Sequence, residues 1–139
     1  MSIEQQKSQA VHNLMNTMAA VQKKSQIFVE RINRQESLNQ NQIMLLFQLR
    51  LTGSLNITDI SERFVITPGA ASSMCDKLED AGLIERLRTK EDRRVVNIVI
   101  TDEGTRRILK LFDSFEAIEL EKFADTLQKI NELMNEIIS

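Results

Sequence analysis

Apolar side chains recur every three or four positions from about residue 4 to residue 33, at Val11, Met15, Met18, Val21, Phe28, Val29 and Ile32. This spacing puts them on one face of an amphipathic helix. At about 1.5 Å per residue, ~30 residues would span roughly 45 Å. That is too long for the core of so small a domain, so the helix is expected to pack on a partner. The same period returns at Ile108, Leu111, Phe112, Phe115, Ile118, Phe123, Leu127, Ile130, Met134 and Ile137. It predicts helix with a break between Asp113 and Asp125. All four glycines and the one proline lie between these two segments, from residue 53 to residue 104.

The punctuated centre breaks into short elements. Asn39 and Gln42 form a capping-box variant, and Ile43, Leu46 and Phe47 supply the buried face of a helix that ends near Leu51, before Gly53. Asn56 and Asp59 open a shorter helix that buries Ile57 and Ile60 and stops at Arg63 or Phe64. Thr67-Pro68 is the clearest helix start: Thr caps well, and Pro suits the first helical position, where its missing N–H is not needed. Ala71, Met74, Cys75 and Leu78 form the apolar stripe of that helix, and Gly82 ends it. Residues 83–89 and 95–100 read as strands, the second with Val96, Ile98 and Ile100 on one face. Between them stands a polar tip, Lys90-Glu91-Asp92-Arg93-Arg94. Thr101 caps the next helix, with Asp102 and Glu103 in its first turn.

A short helix, a tight turn and a second helix make a helix-turn-helix, whose second helix reads base edges in the major groove. The outward residues of that second helix are Gly69, Ala70, Ser72, Ser73, Asp76 and Lys77. Most are small, which lets a helix sit close to the groove floor. The hairpin adds Arg86, Arg88, Lys90, Arg93 and Arg94 against only Glu91 and Asp92, a basic tip placed to reach a narrow, electronegative minor groove. The candidate DNA contacts are therefore Thr67, Gly69, Ala70, Ser72, Ser73, Lys77, Arg88, Arg93 and Arg94.

Composition narrows the alternatives. The 139 residues suit one domain or one compact protomer, and the net charge of −2 requires any nucleic-acid contact to come from a local basic patch. Aromatics make up 4%, without Trp or Tyr, which argues against single-strand stacking platforms. The single cysteine excludes an intrachain disulfide, and one Cys with one His argues against a four-ligand zinc site. No signal pattern and no apolar run near ~18 residues is present, so a soluble cytoplasmic protein without membrane contact is expected. No paired carboxylates, nucleophile–base set or phosphate loop stands out. An enzyme is not expected, nor a cofactor. The competing reading is a winged-helix adaptor that binds protein and no DNA.

Four residues admit two readings each. Met15 and Met18 suit a dimer core or an adaptable ligand pocket. His12 suits a helix surface or a titrating site. Cys75 suits the buried stripe or a redox sensor, and apolar burial would make its thiol unreactive.

In order and spacing, Leu38-Asn39-Gln40-Asn41-Gln42, Thr67-Pro68 with Ser72, Leu78-Glu79, Gly82-Leu83-Ile84-Glu85-Arg86, Asp92-Arg93-Arg94, and Ile100-Thr101 with Gly104 resemble the MarR family of transcription regulators. The resemblance covers residues 38 to 104, where Asn39 replaces a commoner Thr. It implies a mainly α fold with a small β wing. Residues 37–104 would be the winged helix-turn-helix, flanked by a dimerisation helix in 1–36 and dimerisation helices in 105–139. It also implies a homodimer on a pseudo-palindromic operator, commonly a repressor and in many cases released by a small aromatic ligand. The arginine matching Arg94 would enter the minor groove. The acid matching Asp92 would brace the wing, through an ion pair with Arg86.

Overall fold

In the central region each helix begins where a short polar side chain can satisfy a free backbone N–H. The computed structural model describes residues 1–34 and 36–138. Its helices are α1 (Ile3–Ile32), α2 (Gln40–Thr52), α3 (Ile57–Phe64), α4 (Pro68–Asp80), α5 (Asp102–Lys110) and α6 (Ala117–Met134), and its strands are β1 (Ile84–Arg88) and β2 (Val96–Ile100). At the start of α2, Asn39 Oδ1 accepts from the Gln42 N–H and Gln42 Oε1 accepts from the Asn39 N–H, each at 2.9 Å. Asn56 and Asp59 make the same reciprocal pair at 2.8 and 3.1 Å. Thr67 Oγ1 accepts from the Ala70 N–H, and Thr101 Oγ1 from the Gly104 N–H. Each such cap stabilises its helix by about 1 kcal/mol.

These helices enclose one core with the hairpin. Leu45, Leu46 and Leu49 of α2 meet Ile60 of α3, Ala71, Cys75 and Leu78 of α4, Leu83, Ile84 and Ile98 at the hairpin, and Ile108 of α5. β1 and β2 run antiparallel, with Ile84 opposite Ile100, Arg86 opposite Ile98 and Arg88 opposite Val96. A third piece joins them: Leu55, between α2 and α3, exchanges both backbone hydrogen bonds with Ile98, at 2.8 and 3.1 Å. Too short for a period to show, it has no counterpart in the hydrophobic pattern.

Gly104 permits the closest approach in this lobe. A Cβ there would lie 2.3 Å from the Leu83 carbonyl oxygen and 2.7 Å from Ile100 Cγ1, so only glycine lets the first turn of α5 rest against the hairpin base. Thr101 closes the same corner by donating from Oγ1 to the Gly82 carbonyl at 2.7 Å.

The long flanking helices are organised differently. Among the described residues, neither α1 nor α6 holds a buried one. Within the protomer their attachment runs through aromatic side chains: Phe28 of α1 meets Phe123 of α6 edge-on at 5.5 Å, and Phe115 meets Phe123 at 5.6 Å. Phe47 of α2 packs on Phe112, just beyond α5, at 5.9 Å. The C-terminal break occupies residues 111–116 and so starts slightly before the expected window. Among the described residues, no helix is long and apolar enough to cross a membrane.

Candidate nucleic-acid interface

Three stripes divide the surface of α4. Ala71, Cys75 and Leu78 are fully buried. Beside them Ser72, Asp76 and Glu79, four and three positions apart, turn toward the hairpin. There Arg86 of β1 donates to Asp76 Oδ1 at 2.8 Å, to Glu79 Oε1 at 2.9 Å and to the Ser72 carbonyl at 3.3 Å. Burial works against the Arg86 charge, yet the hydrogen bonds to Asp76 and Glu79 prevail and raise its pKa. Gly69, Ala70, Ser73 and Lys77 are left exposed, with Thr67 exposed at the mouth of the helix. Of the other two residues expected to face outward, Asp76 is exposed but pairs with Arg86, and Ser72 is half-buried, with its backbone carbonyl accepting from Arg86.

The wing tip is held by its own short-range bonds. Thr89 Oγ1 accepts from the Asp92 N–H at 3.1 Å and donates to the Asp92 carbonyl at 2.9 Å. Asp92 Oδ1 accepts from both the backbone N–H and Nε of Arg94, at 3.0 and 3.1 Å. Arg88 donates a guanidinium N–H to the Arg93 carbonyl. The expected ion pair between Arg86 and Asp92 is therefore corrected. Arg86 sits mid-strand and reaches back to α4, while Asp92 lies in the turn and takes the nearest cation, Arg94. Arg93 and Arg94 stand exposed at the tip, the Arg94 side chain at 92%.

Four features escaped the sequence reading. Glu79 shares Arg86, and its spacing from Ser72 and Asp76 was the available signal. Val65, in the turn between α3 and α4, is 90% exposed and left-handed at φ 53°, uncommon for a β-branched residue. Arg107 of α5 grips both carboxylate oxygens of Glu36 in the α1–α2 linker, one of them from Nε at 2.7 Å. That bond holds the Glu36 carboxyl below its ordinary range. Beside this pair lies a crevice of about 720 Å³, lined by both signs of charge, the cations Arg31, Arg34, Arg107 and Lys110 with the acids Glu36, Asp113 and Glu119, and by apolar Ile32 and Phe115. Cys75 is fully enclosed, and burial pushes its thiol up against the opposing charge of Arg86. His12, Met15 and Met18 lie exposed on α1.

Residues 38–96, which contain the capped helices and most of the wing, match the family model for the MarR family. The central part of the chain is thus similar to the MarR family. The chain is 36% identical over 77 residues to the HTH-type transcriptional repressor MdtR of Bacillus subtilis strain 168, a match that covers 55% of this chain and 50% of that relative. The chain thus spans about half the length of that relative. The crystal structure of the transcriptional regulator BldR from Sulfolobus solfataricus is 27% identical and superposes with a TM-score of 0.68, covering 100% of this chain and 99% of BldR. A mutant MarR from E. coli complexed with operator DNA shares the fold at 19% identity and a TM-score of 0.63, over 87% of this chain and 95% of that one. The mainly α fold with a two-stranded wing is thus that of MarR-family winged helices, and the relatives are transcription regulators rather than enzymes.

Proposed function

We propose that this chain is a sequence-specific regulator of transcription that binds double-stranded DNA in the cytoplasm as a homodimer on a pseudo-palindromic operator, and that it acts as a repressor. One observation carries this reading: the free face of α4, built of Gly69, Ala70, Ser73 and Lys77, belongs to the same lobe as a preformed wing tip carrying Arg93 and Arg94. Small side chains let the helix approach the groove floor, and a bonded turn presents arginine at little further ordering cost. The match of residues 38–96 to the MarR-family model and the printed names of the relatives support it.

The dimer follows from the flanking helices. Val11, Leu14, Met18 and Val21 of α1, and Leu127, Ile130 and Met134 of α6, alternate by three and four positions and are exposed in the protomer. A second copy covers both rows. Two recognition helices related by the dimer axis then stand about 34–36 Å apart, one turn of duplex. A small aromatic ligand seated in the crevice beside Arg107 would release DNA by favouring the dimer state with the wrong spacing, since a ligand shifts an equilibrium only through differential affinity.

Two measurements test the DNA reading. Binding to duplex should weaken steeply with salt, with log K against log salt sloping at roughly −4 or steeper. A nearly flat titration would instead favour a winged-helix adaptor that binds protein. Arg94→Ala should lower operator affinity by about 10- to 100-fold, the worth of a good groove contact, while dimer mass and thermal midpoint stay unchanged. Retained affinity at moderate salt would remove Arg94 from the interface.

A further inference from the structure

We infer that Arg86 sets the roll of the recognition helix α4, and with it the register in which Ala70, Ser73 and Lys77 meet base edges, by clamping Ser72, Asp76 and Glu79 to strand β1. The inference rests on the DNA-binding reading. It gives Arg86 a positioning role for sequence discrimination.

The clamp has the geometry for this. The Arg86 side chain is 23% exposed, and its planar fork serves two carboxylates and one carbonyl at once. Its anchor is firm. Arg86 lies opposite Ile98, which is fully buried and bonded on its other edge to Leu55. All three acceptors lie on one stripe of α4, beside the apolar stripe that meets the core.

That apolar stripe fixes roll poorly by itself. Two of its three fully buried members, Ala71 and Cys75, are small and interlock little with their neighbours. The reading face tolerates little error, because Gly69, Ala70 and Ser73 have short reach. A roll of about 20° at a radius of roughly 5 Å moves a side-chain atom by about 2 Å, enough to break a hydrogen bond confined to a narrow distance window. Nonspecific attraction to phosphates depends on charge and tolerates such a shift, so the clamp bears on discrimination more than on attraction.

The experiment first selects the preferred duplex from random double-stranded DNA with the unmodified protein. Dissociation constants are then measured for that duplex and for a scrambled one. The variants are the double substitution Asp76→Asn with Glu79→Gln, which frees Arg86, and Arg86→Lys, which keeps the charge and loses the fork. The double variant should bind scrambled DNA more tightly, having shed two negative charges, yet its preference for the selected duplex should fall about ten-fold or more, the size of one mismatched base pair. Arg86→Lys should lower the same ratio. If both affinities of the double variant move together and the ratio holds, the trio only balances charge and the proposal is overturned. A loss of folded protein alone would lower the active fraction for both duplexes equally and leave the ratio intact, which also overturns it. Should the double variant fail to fold, Asp76→Asn alone, at a side chain 64% exposed, carries the same test. If the unmodified protein prefers no duplex and its binding is flat with salt, the DNA reading itself fails, an outcome distinct from a preserved ratio.

Discussion

The central lobe and the flanking helices use apolar residues in opposite ways. Among the described residues, every buried hydrophobic side chain lies between Ile43 and Ile108, and α1 and α6 contribute none. The lobe closes its core within one chain, so its stability is a property of the protomer. The flanking helices leave Met18 and Val21 on α1 more than half exposed and Ile130 on α6 nearly half. In the proposed dimer a second copy would complete such rows, and their order would then depend on concentration as well as sequence. The two regions touch through few groups, chiefly the phenylalanines and the Glu36–Arg107 pair. Under the proposed function, such a division would suit a protein that alters the spacing of its two reading heads.

The largest expected break in this contrast is Ile130→Glu. An unpaired carboxylate placed in a dry dimer seam costs at least ~3 kcal/mol, or roughly a 100-fold weaker dimer, measured by sedimentation equilibrium. Ile130 lies outside the central core cluster, so the lobe should keep its own denaturant midpoint. If the unmodified protein sediments as a monomer, the flanking helices have another partner and the contrast is misdrawn.

Gly104→Ala probes the other side. Its Cβ would collide with the Leu83 carbonyl, and an overpacked backbone contact of this kind costs about 2–3 kcal/mol. Urea denaturation should show that loss at any protein concentration, since the contact lies within one protomer. A loss that disappears at high protein concentration would mean the lobe depends on assembly after all.

Glu36→Gln loosens the tie between the regions. A hydrogen-bonded pair of charges shielded from water contributes about 1.5 kcal/mol, to be read in thermal or denaturant unfolding at neutral pH. Glu36 titrates lower in the folded protein than in the unfolded chain, so the unfolded chain takes up that proton first. The contribution is whole above the ordinary glutamate range and is lost as pH falls through the folded value. The unmodified protein should therefore lose stability more steeply than Glu36→Gln on acidification below that range. Parallel profiles would show that the pair contributes nothing.

The smallest effect expected is a gain. Val65→Gly relieves a left-handed β-branched residue and should stabilise the lobe by about 0.5–1 kcal/mol, net of the extra freedom glycine gives the unfolded chain. A lower unfolding midpoint would show that the turn is not strained.

The helix starts were legible because caps are local. Asn39, Asn56, Thr67 and Thr101 each bond to a backbone N–H three residues on, so the relevant partners sit side by side in the sequence. The α5–α6 break was harder to place. It closes on Glu116, whose capping partner is Glu119, and neither residue type marks a helix start as Ser, Thr, Asp or Asn does. The Arg86–Asp92 expectation paired two residues of the hairpin. An arginine has several carboxylates in reach once the chain is folded, and the choice between them depends on which way a strand residue faces. Asp76 and Glu79 lie ten and seven residues away from Arg86 and meet it only because α4 folds back on β1.

By itself, the sequence determined the fold class, the order of elements, the start of α4 and the basic content of the wing. These follow from periodicity, caps and turn residues, which act over a few positions. Only the tertiary structure decided that α4 is clamped by Arg86, that Asp92 braces Arg94, that Leu55 joins the sheet, and that Arg107 holds Glu36 across 71 positions of chain. Ion pairs and close approaches depend on distance in space, and the chain separation between their partners carries no periodic trace.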